Sequence, residues 1–199
     1  MNNTEDLNVP KCEIRAVNDE KTIRVYQAYS DLIADSALAA GRFVSPPFKM
    51  ERMTWIKPSF LWMMYRAGWS MKDAGQKRIL AIDITREGFE WALAHGCLSH
   101  AGEGVSESAF QRLKDTSPVR IQWDPERNVH LHAQQHRAIQ IGLSKEAVGL
   151  YVNQWIQRIE EVTPLALEIH ALAANGRIDE ATALLPKERP YTHAGASLT

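Results

Sequence analysis

The chain has 199 residues, 45% of them hydrophobic, with 23 basic against 24 acidic side chains and a formal net charge of −1. That size buries a sizeable core without disulfides or metals. The near-zero charge gives no global attraction to nucleic acid or to an acidic membrane surface. Cys12 and Cys97 stand far apart in no paired motif, which excludes a disulfide framework and a zinc knuckle. Cys97, with no activating neighbour in sequence, reads as a buried structural thiol. The opening MNNTEDLNVPK lacks the apolar stretch of a signal peptide. No run approaches the ~18 apolar residues of a membrane span, so a cytoplasmic protein with no membrane partner is expected.

Residues 1–10 and 187–199 read as loose tails, the latter rich in Pro, Gly, Ser and Thr. Between them no linker marks a second domain. Glu13 to Val17 is a short strand candidate, and Asn18-Asp19 a turn. Thr22 to Tyr29 (TIRVYQAY) is β-branched and aromatic, and suits a strand. Ser30 then caps a helix over Asp31 to Ala40, with Gly41 closing it.

Arg52 to Ile56 reads as a strand, and Pro58 fits the first position of a helix to Arg66 that stops at Gly68. Arg78 to Thr85 (RILAIDIT) is a buried strand, followed by a helix over Arg86 to His95 closed by Gly96. Ser99 to Ser117 is poorly patterned, with a short helix at Glu107 to Leu113. Val119 to Trp123 is a strand, Asp124 to Asn128 a turn, Val129 to His132 a returning segment, and Ala138 to Leu143 the last strand. Ser144 caps a helical C-terminal third, with helices over Lys145 to Glu161, Pro164 to Ala174 and Ile178 to Leu185. The expected architecture is α+β: a single domain with a mixed or antiparallel sheet, a buried central helix and a helical C-terminal third.

The stretch RMTWIKPSFLWMMYRAGW, Arg52 to Trp69, is the most unusual. Phe60 to Tyr65 are apolar or aromatic on every side of a helix, which predicts burial all round. The polar residues beside them point to function. Lys57, at the handover from strand to helix N-terminus, opposes the helix dipole and is a poor choice for stability alone. With Arg52 it suggests a site for phosphate or pyrophosphate. Gln140 alternates with Ala138 and Gly142, a pattern that leaves an open strand face for a ligand. His130, His132 and His136 have metal-like spacing but sit in an exposed hairpin pattern, so no metal is expected. Glu160, Glu161 and Glu168 read as a solvated helix face. The dinucleotide-fold, Walker, nucleophile-elbow and HExxH signatures are absent.

The segments VYQAY, RMTWIKPSFLWMMYRAGW, LAIDITREGFEWAL, PVRIQWDPERN, RAIQIGLS, TPLALEIHAL and LLPKERPY resemble the family called domain of unknown function 4291 over most of the chain. That family carries no assigned activity, so the resemblance implies no reaction. The unit VYQAYSDLIADSALAAGRF is also similar in layout to the opening of ADP-ribosyltransferase-like domains. That second resemblance implies that Gln27 stands where such domains hold NAD through His or Arg. It puts Thr54 on the second strand and Gln140 where a third strand carries Glu.

Three roles are therefore expected of the chain. The first is an NAD- or nucleotide-using group transferase, with Gln27, Thr54 and Gln140 at the reacting end and Arg52, Lys57 and Tyr29 binding the cofactor. The second is a module that binds a nucleotide or an RNA end without turnover. The third is a protein-interaction domain acting through the C-terminal helices.

Overall fold

The computed structural model describes residues 11–100 and 106–193. Its framework is two sheets that meet at one backbone bridge. The first has the order β2 (Thr22–Tyr29), β4 (Arg78–Thr85), β8 (Ile156–Glu161), after a short β1 (Arg15–Ala16), and all its pairs are antiparallel. The second has the order β3 (Thr54–Ile56), β7 (Ala133–Leu143), β6 (Val119–Arg127), β5 (Gly96–Leu98), with only β5 and β6 parallel. The seam is a bridge between Tyr26 and Lys57, whose amides bond each other's carbonyls at 2.8 and 3.3 Å. The architecture is α+β, as expected.

Strand alternation sorts the core into two. Ile23 and Val25 of β2 and Leu80, Ile82 and Ile84 of β4 face one cluster, which includes Ile121 and Ile141 of the second sheet. Tyr26, Ile79 and Ala81 face the other, against α2 (Phe60–Ala67) and α6 (Thr163–Ala174). A sheet covered on both faces explains the nearly unbroken apolar run RILAIDIT. β2 and the helix α1 (Asp31–Ala40) have the expected bounds, and Gly41 closes α1 at φ 67. Ser30 makes no side-chain cap bond there.

Several expectations are corrected. The helix expected over Lys145 to Glu161 stops early: α5 (Glu146–Leu150) passes into a wide turn over Tyr151–Trp155, and β8 follows. IQRIEE has helix-forming composition, but the free edge of β4 takes it as a strand. Arg24 bonds Asp83 at 2.7 Å and reaches Glu160 at 3.5 Å, while Arg78 grips Glu161 at 2.5 and 2.6 Å. Tertiary pairing overrides weak local propensity. Glu160 and Glu161 are thus cross-strand ion-pair partners, not a solvated helix face; Glu168, on α6, is exposed. The C-terminal third is helical as expected, with α5, α6 and α7 (Ile178–Ala183), but the strands β8 and β9 (Arg189–Pro190) interrupt and close it.

The β6–β7 hairpin also differs from expectation. β6 runs through Asp124 to Arg127, with Pro125 at a register irregularity, where its missing donor is tolerated. The tip is residues 128–132, closed by Asn128 Oδ1, which accepts the amides of His130 and His132 at 3.0 Å each. α2 begins at Phe60, two residues after Pro58, because Ser59 caps it by accepting the Trp62 amide at 3.1 Å. The burial expected all round α2 fails at Tyr65, which is 41% exposed and stacks on Trp62 beneath the Arg127 guanidinium.

The helix α3 (Arg86–Ala94) leads into the unforeseen β5, and α4 (Glu107–Thr116) runs longer than expected. The tail expected from Lys187 is drawn in. β9 (Arg189–Pro190) pairs with β1, and Tyr191 is buried edge-on against Phe89. Residues 1–10 and 194–199 lie outside the described residues. No described helix is long and apolar enough to cross a membrane.

Candidate functional site

Beside the seam lies a cavity of about 640 Å³, walled by the end of β2, the start of α1, residues 47–55, α2 and one face of the second sheet. The six residues singled out in the sequence, Gln27, Tyr29, Arg52, Thr54, Lys57 and Gln140, all line it. They come from three strands, the loop before β3 and the segment just after it. What brings them together is the Tyr26–Lys57 bridge, which joins β2 to the segment after β3.

The floor is a neutral hydrogen-bond cluster. Gln27 Nε2 lies 2.6 Å from Thr54 Oγ1, 3.0 Å from the Tyr29 hydroxyl and 3.2 Å from the Trp55 carbonyl. The Tyr151 hydroxyl donates to Gln27 Oε1 at 2.7 Å. The Trp55 carbonyl can only accept, and this fixes which end of the amide is which. Gln27 has two N–H protons, so one goes to Trp55 and the other to the Tyr29–Thr54 pair. Those two hydroxyls are 2.9 Å apart, and one donates to the other. One O–H of the pair is left with no acceptor among the described residues, and it is available to a ligand. Burial pushes the phenols of Tyr29 and Tyr151 upward, so the cluster stays neutral at ordinary pH.

A polar row crosses the sheet beside this floor. Gln140 Nε2 donates to Asp124 Oδ2 at 2.8 Å, and Gln122 Nε2 donates to Asp124 Oδ1 at 3.0 Å. A carboxylate accepts only, so Gln140 must turn its Oε1 the other way, where no described donor meets it. The open strand face expected at Gly142 is covered. A Cβ there would lie 2.8 Å from Met53 Sδ and 3.0 Å from the Trp55 ring. The missing side chain lets those two residues lie close over β7 and shape the wall, instead of leaving room for a ligand.

The cations divide into one buried and three at the rim. Lys57 is 7% exposed, and its Nζ donates to the Trp55 carbonyl at 3.0 Å. Burial, reinforced by the charge of Arg66 and opposed by Asp124, pulls its pKa down to about 7. Lys49, Arg52 and Arg66 line the same cavity, are exposed, and form no ion pair with described residues. Among the described residues, no Asp or Glu is in the lining.

The anion site expected at the N-terminus of α2 is not there. The Phe60 amide donates to Glu188 Oε1 at 2.7 Å, so the helix end is already held by a carboxyl group from far along the chain. Lys57 reaches the cavity instead. Sequence reading also missed Lys49, Arg66, Gln122, Asp124 and Tyr151. Asp124 was read as part of a turn and Tyr151 as part of a long helix, and Arg66 gave no signal beyond its place in the helix. His130 and His132 are exposed at the hairpin tip, and no group of His, Cys, Asp or Glu among the described residues is placed to hold a metal. Cys97 is buried outside the cavity, with Arg120 Nη1 donating to its sulfur at 3.2 Å.

Fold and site together define an α+β domain with a polar, cation-rimmed cavity at the junction of two sheets. The model of the family described as Domain of unknown function (DUF4291) matches residues 13–191, and the chain belongs to that family. No curated protein matches the chain.

Proposed function

We propose that the cavity binds a nucleotide of the NAD type and serves a group transferase in which the pyrophosphate portion is held at the rim. The observation that carries this reading is the charge of the wall: Lys49, Arg52, Lys57 and Arg66 line it without an acidic side chain among the described lining residues. Cations gathered without counter-charges in a concave site are matched by an anionic ligand. The volume of about 640 Å³ falls in the range of small-molecule and cofactor sites. The floor adds chemical detail. A spare hydroxyl proton at Tyr29–Thr54 and the Oε1 of Gln140 offer one donor and one acceptor, the complement of a carboxamide such as that of nicotinamide.

In this reading the residues position the ligand and stabilise charge on the leaving group, and the rim makes the larger contribution. Gln27, Thr54 and Gln140 are assigned to the reacting end in this reading by the likeness to ADP-ribosyltransferase-like domains, which is an analogy at the level of fold. One observation favours a second reading, binding without turnover. No carboxylate among the described residues lines the cavity, so positive charge growing on a ribosyl carbon has only neutral oxygens, such as Gln140 Oε1, to face.

Calorimetry of the purified protein against NAD, ATP and short RNA, followed by product analysis of any binder, separates these readings. Heat with turnover supports the transferase, and heat without it supports the binding module. Absence of heat at millimolar ligand removes both. Arg52→Ala and Arg66→Ala should each weaken binding by about ten-fold, with the loss shrinking at high salt.

A further inference from the structure

We propose that Lys57 is a nucleophilic amine that forms an imine with an aldehyde or ketone group carried by an anionic ligand in the cavity. This goes beyond the nucleotide reading and does not rest on it.

Lys57 lines the cavity at 7% exposure, and its Nζ has one hydrogen-bond partner among the described residues, the Trp55 carbonyl at 3.0 Å. No carboxylate lies within ion-pair distance of it among those residues. A buried ammonium ion without a counter-anion is costly, and burial therefore favours the neutral amine. The neutral amine is the nucleophile, and a lysine desolvated beside another cation is an arrangement that activates it. Two charged groups act on Lys57: Arg66 of α2, which favours the neutral form, and Asp124 of β6, which opposes it. The cavity-lining side chains of the other elements around it, Gln27 and Tyr29 of β2, Thr54 of β3 and Gln140 of β7, carry no charge.

The backbone holds the amine in place. Lys57 bonds Tyr26 in both directions, and Pro58 fixes the next residue. The exposed Lys49, Arg52 and Arg66 would collect the anionic part of the ligand. In the reaction the nitrogen lone pair attacks the carbonyl carbon and a C–N bond forms. The C=O π pair moves to oxygen, which takes up a proton released by nitrogen, giving a carbinolamine. Departure of water then leaves the C=N bond. No oxidant or reductant is needed.

The test uses the full chain with pyridoxal 5′-phosphate, a phosphorylated aldehyde, trapped with cyanoborohydride at about pH 7 and mapped by peptide mass. Lys57 should be modified at least about ten-fold faster than the exposed Lys49, Lys72 and Lys77, and inorganic pyrophosphate should slow it selectively. Its rate should rise through about pH 7 and level off. Lys57→Arg should lose that one adduct and keep the others. Labelling of the exposed lysines with Lys57 spared, or a Lys57 rate that keeps climbing well above pH 7, would overturn the proposal. The ratios within the wild-type protein decide even where the variant fails to fold. Heat of NAD binding without Lys57 labelling would sink this proposal and leave the nucleotide reading intact.

Discussion

The two faces of β2 carry two polar clusters of opposite character. On one face Gln27 and Tyr29 join Thr54 and Tyr151 in a neutral network that borders the cavity. On the other, Tyr26 packs against α2, where Glu188 holds the Phe60 amide and interacts with Glu126. Burial, with Glu126 adding to it, pushes the Glu188 carboxyl up to about 8, and burial raises Glu126 as well. The first cluster satisfies every atom of the Gln27 amide and still leaves a hydroxyl proton for a ligand. The second uses its acceptor on a helix end and leaves the Tyr26 hydroxyl without a hydrogen-bond partner among the described residues. A spare hydroxyl proton is tolerated at the Tyr29–Thr54 pair because both residues line the cavity, where a ligand can accept it. The acidic cluster is a structural clamp.

The comparison is tested most severely at Gln27. Gln27→Leu removes the acceptor for Tyr151 and the donor shared by Tyr29, Thr54 and Trp55, and should cost about 3 kcal/mol in urea unfolding. A loss below about 1 kcal/mol would mean that the hydroxyls find other partners and that the cluster is no unit. Glu188→Ala comes next, at about 2 kcal/mol, because the Phe60 amide at the start of α2 loses its acceptor. The loss should appear as faster amide hydrogen exchange in α2, with β2 and β4 unaffected.

The neutral cluster was more legible in the sequence than the acidic one, but through a resemblance: the layout shared with ADP-ribosyltransferase-like domains points to Gln27 and Thr54. Gln27 and Tyr29 do stand on the same face of TIRVYQAY as Ile23 and Val25, which is why the strand sets them side by side. Strong local signals also set β2, α1, β4 and most of α3. The strand β8 was hidden because Gln, Arg and Glu suit a helix equally well, and only the edge of β4 with Arg24 and Arg78 decides. Glu188 reaches Phe60 across 128 positions of sequence, in a stretch that looks like a tail. Arg66 becomes a cavity group, and Asp124 the acceptor for Gln140, only after the sheets have docked. Contacts made by docking leave no local periodicity to read.

A milder change probes the neutral cluster. Tyr151→Phe removes one bond to Gln27 Oε1 and keeps the ring packed beside Phe43 and Trp155. It should cost about 1 kcal/mol, since one buried acceptor is left unpaired. Because Tyr151 lies behind Gln27 and does not line the cavity, ligand affinity should change less than stability does.

The smallest effect is the most specific to the acidic cluster. Glu188→Gln keeps an oxygen acceptor for the Phe60 amide and removes only the titration, so near pH 5 the two proteins should differ by less than about 1 kcal/mol. The difference should then change with pH in a fixed direction. A carboxyl whose pKa is about 8 in the folded chain and near 4.5 when unfolded binds its proton more tightly in the folded state. Its contribution is fully present below about 4.5 and is lost as pH rises through about 8. The wild type should therefore lose stability relative to Glu188→Gln over that window, and the variant should be the more stable protein at its upper end. A difference that stays flat with pH would show that Glu188 is ionised when folded. The α2 end would then be an ordinary carboxylate cap, and the contrast between the two faces of β2 would be one of connectivity alone.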